Sequence, residues 1–189
     1  MSYIPMPFRE LKPLPEAAAA YDRFLLELEE RLNDDSVDRN ELVRTTLYEM
    51  YFGTSGAFER INDASLSATA RSMIACFDPR NVTLEPEYYA NCNPDLYYPR
   101  KPITWLWQMF DRSPMGMNAG LGHRFRRVLA PYIFAKVGKN FKSWHWVEWS
   151  FGYNLYFGDN VVVHRHVLID DRGKVKIGDD VSISDYANI

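Results

Sequence analysis

Hydrophobic residues recur with two different periods along this chain, and the change from one to the other falls near residue 137. In the segment EAAAAYDRFLLELEERL, Tyr21, Phe24, Leu25, Leu28 and Leu32 stand at helical spacing with charges between them, directly after Pro13 and Pro15, which predicts an amphipathic helix. A polar break, NDDSVD, leads to RNELVRTTLYEMYF, where Leu42, Thr46 and Met50 repeat the pattern and Gly53 is placed to end it. A third helix is predicted around Ser65 to Phe77. Residues 78–102 hold five prolines and several asparagines, which exclude a long regular element, and their density of tyrosine points to an ordered connection. Helical spacing returns between Ile103 and Val137, in PITWLWQMFDR and GHRFRRVLAPYIFAKV, with Pro131 expected to kink or end the second.

From Val137 onward the steps between apolar residues become six, six and eight, so that the register closes every 20 residues. Aliphatic or aromatic residues occupy 137, 149, 157, 163, 169, 177, 183 and 189, with Ser143 at the remaining step. The segments starting VGKNF, FGDNV and IGDDV agree at Gly138, Gly158 and Gly178, and at the turn residues Asn140, Asn160 and Asp180. They agree again two places before each step, at Phe141, Val147, Leu155, Val161, Val167 and Val175 among others. Residues two apart on a strand share a face, so pairs such as Val161 with Val163 point together into a core. Gly or Asn between the pairs tolerates the backbone angles of a turn. Three strands and three turns make a triangular coil, and stacked coils pair each backbone with the next, which is the logic of a parallel β-helix. Ordinary sandwich strands leave the fixed step unexplained. The chain therefore divides into a helical N-terminal domain, residues 1–136, and a β-helical domain, residues 137–189.

The net charge of −3 conceals an asymmetry: residues 1–111 contain 18 acids and 11 bases, and residues 112–189 contain 7 acids and 11 bases. The second part is the better home for an anionic ligand. Between Arg112 and Lys142 there are seven bases and no acid. One reading is a solvated helix face whose partners come from the acidic half. The other is a surface for phosphates, on a cofactor or an anionic membrane, with Trp105, Trp107 and Phe110 as interfacial anchors. No nucleic-acid partner is expected. Cys76 and Cys92 are too sparse for a disulfide framework or zinc knuckle, so free thiols in a reducing compartment are expected. The N-terminal stretch MSYIPMPFRELKPLPE lacks the plan of a secretory signal and no segment has the roughly 20 apolar residues of a membrane span, which together predict a cytoplasmic protein.

The segment FGYNLYFGDNVVVHRHVLIDDRGKVKIGDDVSISDYANI resembles the hexapeptide-repeat acyltransferases, nearest the branch of the maltose and galactoside O-acetyltransferases. There a YGxN-like turn, an IGxN coil, an ILD-like corner and an IGDxVxI coil follow in the same order and spacing. The resemblance covers roughly residues 149–189 and implies a fold class of α+β, a helical N-terminal domain followed by an incomplete left-handed parallel β-helix. It further implies a homotrimer, with acetyl-CoA or another acyl-CoA as co-substrate in a groove between neighbouring β-helices. The acceptor, a small hydroxyl or amine compound, is deprotonated by a histidine, and no permanently bound cofactor is needed. The family's histidine falls a few residues beyond Ile189, so no catalytic residue is assigned within the chain, which is expected to be truncated and inactive alone. Cofactor-contacting coils would also lie later. Helical residues 1–130 depart from the pattern.

The resemblance also places acceptor-binding candidates. The sugar acetyltransferases carry an asparagine where this chain has His164 and an aspartate where it has Arg172; Asp171, one position away, is the candidate replacement carboxylate. His164 and His166 lie two apart on one outward face, where they could be solvated, bind acceptor or share a metal. With no third ligand at a useful spacing, no metal site is assigned. His164, His166 and Asp171 are thus the candidate substrate-binding residues. His145, between Trp144 and Trp146, reads as part of an aromatic cap on the first coil, and His123 as part of the basic helix. The alternative to an acyltransferase is a non-enzymatic interaction module whose contact surface is the basic, tryptophan-rich helical region.

Overall fold

The computed structural model describes residues 12–54 and 58–189. The first eleven residues, which include most of the stretch read as lacking a secretory signal, lie outside the described residues. Among the described residues no helix is long and apolar enough to cross a membrane.

Helix α1 (Pro15–Asn33) begins at the second proline of the predicted pair and buries Leu25, Leu28 and Leu32. Helix α2 (Arg39–Phe52) starts at Asp38, whose carboxylate accepts the amides of Asn40 and Glu41, and stops at Gly53 with φ 70°, a left-handed conformation that glycine adopts at little cost. Helix α3 (Ala68–Cys76) is capped by the Ser67 hydroxyl, which accepts the amide of Ala70. Residues 78–100 form an ordered connection whose regular pieces are single turns at Pro79–Asn81 and Glu85–Tyr88 and the one-turn helix α4 (Pro94–Tyr97). Helices α5 (Lys101–Asp111), α6 (Pro114–Met117) and α7 (Ala119–Ile133) follow. Pro131 lies in the last turn of α7, and the helix closes at Ile133 rather than continuing towards Val137. Phe110 of α5 and Phe125 of α7 stack at 3.6 Å between centroids.

Seven short strands complete the α+β architecture: β1 (Lys142–Ser143), β2 (Glu148–Trp149), β3 (Leu155–Phe157), β4 (Val162–Val163), β5 (Leu168–Ile169), β6 (Val175–Ile177) and β7 (Ser182–Ile183). Every pairing is parallel and joins residues 20 apart, as Ser143 with Val163, Val163 with Ile183, Trp149 with Ile169 and Phe157 with Ile177. The sheets are β1–β4–β7, β2–β5 and β3–β6, so successive strands visit them in rotation. The inward pairs expected from the six-residue step are buried: Val161, Val163, Leu155 and Ile169 are fully enclosed and Val167 nearly so. The third coil is more open, with Val175, Val181 and Ala187 half-buried and Ile189 51% exposed.

The turn residues divide their duties differently from the expectation that Gly or Asn serves a turn angle. Asn140, Asn160 and Asp180 hold the left-handed conformation, at φ 56°, 57° and 57°, and their side chains hydrogen-bond along the stack, Asn140 Nδ2 to Asn160 Oδ1 at 3.1 Å and Asn160 Nδ2 to Asp180 Oδ1 at 2.9 Å. Gly138 and Gly158 serve close approach instead. A Cβ on Gly138 would lie 2.2 Å from the Gly158 carbonyl oxygen, and one on Gly158 would lie 2.7 Å from the Gly178 carbonyl carbon.

One cluster of buried side chains runs from Leu25 in α1 to Ile183 in β7, across the 136/137 boundary. Phe134 bridges the two parts, touching the rings of Trp107, Phe141, Trp149 and Phe157. Trp107 and Phe110 are 1% and 0% exposed, which corrects their expected role as interfacial anchors: they face the core. Trp105 is half-buried and donates its indole N–H to the Cys76 carbonyl at 2.9 Å. Cys76 and Cys92 are unpaired thiols.

Two arginines of the basic run, with His123, serve the open edge of the first coil, while Arg124 pairs with Asp22 at 2.7 Å. Amides of β1 donate forward, Lys142 to Val161 O and Trp144 to Val163 O, so the carbonyls of Phe141 and Ser143 face away from the stack. Helix α7 covers them. Arg127 Nε donates to Phe141 O at 3.1 Å, Arg126 Nη1 to Ser143 O at 3.2 Å, and His123 Nδ1 sits 2.8 Å from Ser143 O. Arg126 is itself 1% exposed and paired with Asp111, Nε to Oδ1 at 2.9 Å and Nη2 to Oδ1 at 2.5 Å. In later coils a left-handed residue donates its amide to a carbonyl one coil earlier, as Tyr186 N to Arg165 O; at Trp146, with no coil beneath, Asp111 Oδ2 accepts instead at 2.8 Å. A strand edge that would otherwise leave polar groups unpaired is thereby closed by side chains of α5 and α7.

Candidate functional site

Three features of the parallel-strand region are candidates for chemistry: the corner between β4 and β5, the loop after β5, and the outer face of β3–β6. At the first, His164 and His166 flank the turn at Arg165 but enter separate columns. His164 lies below Trp144, rings near parallel at 6.2 Å, with Nε2 3.3 Å from the Ser182 hydroxyl and Nδ1 3.9 Å from the Asp185 carboxylate. His166 sits between Trp146 and Tyr186, 4.7 Å from each ring. All three of the latter column have positive φ, 57°, 55° and 62°, which costs a side-chain-bearing residue about 1 kcal/mol or more and is offset here by ring stacking. The two imidazoles are therefore not a chelating pair, and no group of three or more potential ligands occurs among the described residues. Arg165 binds Asp185 through its backbone amide at 2.9 Å and Nη2 at 3.0 Å, holding that carboxyl below its usual range.

His145 is buried beside the Trp146 ring, and desolvation lowers its pKa. His123 is half-buried against Trp144, and desolvation lowers its pKa as well. Both belong to the seam between the helices and the first coil.

In the loop after β5, Asp171, expected as an acceptor ligand, is engaged by the backbone of the preceding coil. Its side chain is 0% exposed, and its carboxylate accepts the amides of Phe151 at 2.6 Å and Asn154 at 3.4 Å, while its own carbonyl accepts Asn154 Nδ2 at 2.9 Å. Burial raises its pKa against the pull of those amides. Asp171 ties the loop at 151–154 to its successor one coil later. Arg172 pairs with Asp170 and lies over the Tyr89 ring at 5.2 Å.

No protein-family model matches this chain, and neither does any curated protein.

The outer face of β3–β6 was not singled out by the residue pattern. Lys136 bridges to Tyr156, which pairs with Lys176, so the three side chains form an outward column; Lys174 lies over the Tyr156 ring with Nζ 4.5 Å from its centroid. These residues line an open cleft of about 510 Å³ with Gly158, Gly178 and Asp179. Three ammonium groups face one carboxylate there, and that carboxylate already accepts the Asp159 amide at 2.7 Å. A concave, basic, aromatic-floored surface suits a phosphate-bearing ligand with a planar ring. The sequence signal was present in the run KVK at 174–176, but only the 20-residue register adds Lys136 and Tyr156 to it.

Proposed function

We propose that the chain belongs to an acyltransferase of the hexapeptide-repeat kind, its three sheets closing into a left-handed β-helix, which moves an acyl group from acyl-CoA to a hydroxyl or amine acceptor. The observation that carries the reading is the strict 20-residue parallel register with Asn140, Asn160 and Asp180 in left-handed turns, the periodicity on which the resemblance rests. The cleft of Lys136, Tyr156, Lys174 and Lys176 is assigned to the phosphates and base of the co-substrate. His164, held by Ser182 and flanked by Trp144, is assigned to the acceptor.

In a three-sided coil the β4–β5 corner lies opposite the β3–β6 face, so the two assigned surfaces of one chain point apart. A homotrimer reconciles them, because the lysine cleft of one copy then meets the histidine corner of another. The acceptor oxygen or nitrogen attacks the thioester carbonyl carbon and its proton passes to a neutral imidazole. The carbon–sulfur bond breaks, and the imidazolium returns the proton to the departing thiolate. The lysine cleft and His164 are given binding and positioning, and the imidazole that moves the proton is left unassigned.

Calorimetric titration of the chain with CoA tests the reading. Saturable binding is expected, weakened about tenfold or more when Lys174→Ala and Lys176→Ala remove charged hydrogen-bond donors. A folded chain without affinity for CoA overturns it.

A further inference from the structure

A second, smaller cleft lies where the 84–86 turn and the start of α5 face the β2–β5 sheet, with a volume of about 200 Å³. Its walls include Tyr97, Thr104, Trp149 and Gln108, and its lining holds two carboxylates, Glu85 and Glu148, and no cation. At roughly 30 Å³ per water-sized group this is room for about seven such groups. Three features mark it as more than a packing defect.

The first is a pair of buried hydroxyls without partners. Tyr97 and Thr104 are 1% and 5% exposed, and neither Tyr97 Oη nor Thr104 Oγ1 has a hydrogen-bond partner among the described residues. Buried hydroxyls are ordinarily satisfied. The second is that comparable groups elsewhere in the chain are satisfied. Thr46, also buried in a helix, donates back one turn to Leu42 O at 2.8 Å. Tyr51 donates to Met109 O at 2.9 Å, Tyr132 to Asn33 Oδ1 at 2.7 Å, and Tyr153 accepts the Asn93 amide at 2.9 Å. Thr104 forgoes the same helical bond, which leaves its hydroxyl for a partner from the cleft. The third is charge. Glu148 is exposed and has no partner among the described residues, while Glu85 accepts only the Tyr89 hydroxyl.

We infer that this cleft binds a small hydroxy-amine, with its hydroxyl end on Tyr97 and Thr104, its carbon skeleton against Trp149 and its ammonium at the mouth beside Glu148 and Glu85. The sign of the mouth excludes an anionic ligand, and the volume excludes a nucleotide or a peptide. The two hydroxyls are closed off from solvent, so contact requires a lining side chain to shift, and half-buried Gln108 is assigned that part. The inference stands whether or not the chain transfers acyl groups, because no residue of the lysine cleft or the histidine corner takes part.

The probe is 2-amino-1,3-propanediol, which differs from glycerol by an ammonium in place of one hydroxyl. Titration of the full chain is followed by calorimetry and by tryptophan fluorescence, since Trp149 lines the site. The amine is expected to bind saturably and glycerol about tenfold or more weakly, because a hydrogen bond to a charged group is lost. Glu148→Gln is expected to bring the amine down to the affinity of glycerol. Tyr97→Phe and Thr104→Val, which remove only the hydroxyls, are expected to weaken both compounds while leaving the melting temperature unchanged or raised. Equal binding of amine and glycerol overturns the assignment, as does an absence of saturable binding at 100 mM. A fall in melting temperature for both hydroxyl variants without ligand overturns it too, since the hydroxyls would then be serving the fold, through bound water.

Discussion

Replacing Arg126 with methionine tests whether the helical region acts as the end cap of the coil stack. The side chain makes two contacts to Asp111 Oδ1, at 2.9 and 2.5 Å, and donates to Gly116 O at 2.8 Å and Ser143 O at 3.2 Å, all at 1% exposure. Methionine fills much of the volume but supplies no donor. What remains is the Asp111 carboxylate, 2% exposed and without its cation, accepting the Trp146 amide, together with two carbonyls that lose a donor. Removing one partner of a buried ion pair costs about 3–5 kcal/mol. For a chain of this length each kcal/mol lowers the melting temperature by roughly 2–4 °C, so a fall of about 6–20 °C is expected. Urea denaturation followed by far-ultraviolet circular dichroism measures the difference directly, at unchanged slope. Asp111→Asn keeps an oxygen for Trp146 and removes the stranded charge. Combined with Arg126→Met it should therefore cost less than the sum of the two single changes, by about 1 kcal/mol or more. The reasoning is refuted if Arg126→Met lies within about 1 kcal/mol of the parent, or if the two changes simply add.

Three further outcomes follow from contacts already described. Gly158→Ala should destabilise by about 1–3 kcal/mol, because its Cβ would lie 2.3 Å from Asp179 Oδ1 and 2.7 Å from the Gly178 carbonyl carbon, whereas Gly178→Ala meets nothing within 4 Å and should stay within about 0.5 kcal/mol in the same denaturation assay. Stability should fall as pH drops below about 6.5. His123 and His145 have pKa values depressed by burial, so the unfolded chain takes up their protons first; His123→Gln should flatten that slope in pH-dependent melting curves. Asp171→Ala should cost about 1–3 kcal/mol by leaving the Phe151 and Asn154 amides without an acceptor, and Asp171→Asn, which retains one oxygen, should cost less.

The sequence showed the C-terminal third more clearly than the helical part, for a physical reason. A stacked repeat must place the same residue type at the same point of each turn, so Val161, Val163 and Ile169 announce both their burial and their partners, and the pairing of residues 20 apart reproduces that spacing. Helix ends were equally readable where one residue governs them, as at Gly53. The tertiary position of a helix has no such local mark. Trp107 and Phe110 are aromatic residues beside a basic run, which suits an interfacial belt or a core equally well, and only the arrival of Phe125, Phe134 and Trp149 decides for the core. The short helix α6 escaped notice because four residues hold no period.

The same distinction explains which chemical residues were legible. His164 and His166 could be placed on a corner from spacing alone, but their separation into columns depends on the rings 20 residues away, Trp144 above one and Trp146 and Tyr186 around the other. Asp171 looked like a spare carboxylate because the amides that consume it, from Phe151 and Asn154, belong to the previous coil. The basic run from Arg112 to Lys142 was ambiguous between solvent and phosphate; Arg124 and Arg126 do take partners from the acidic part, Asp22 and Asp111, while Arg126, Arg127 and His123 also meet the carbonyls of the first strand. That third option becomes visible once one asks where a stack that begins in the middle of a chain sends its first row of carbonyls. A coil that pairs only forward leaves Phe141 O and Ser143 O without backbone donors, and Arg126, Arg127 and His123 are spaced on α7 to meet them. The helical region is thus the first layer beneath the parallel strands in hydrogen-bonding terms, which is why one core crosses the boundary between the two periods.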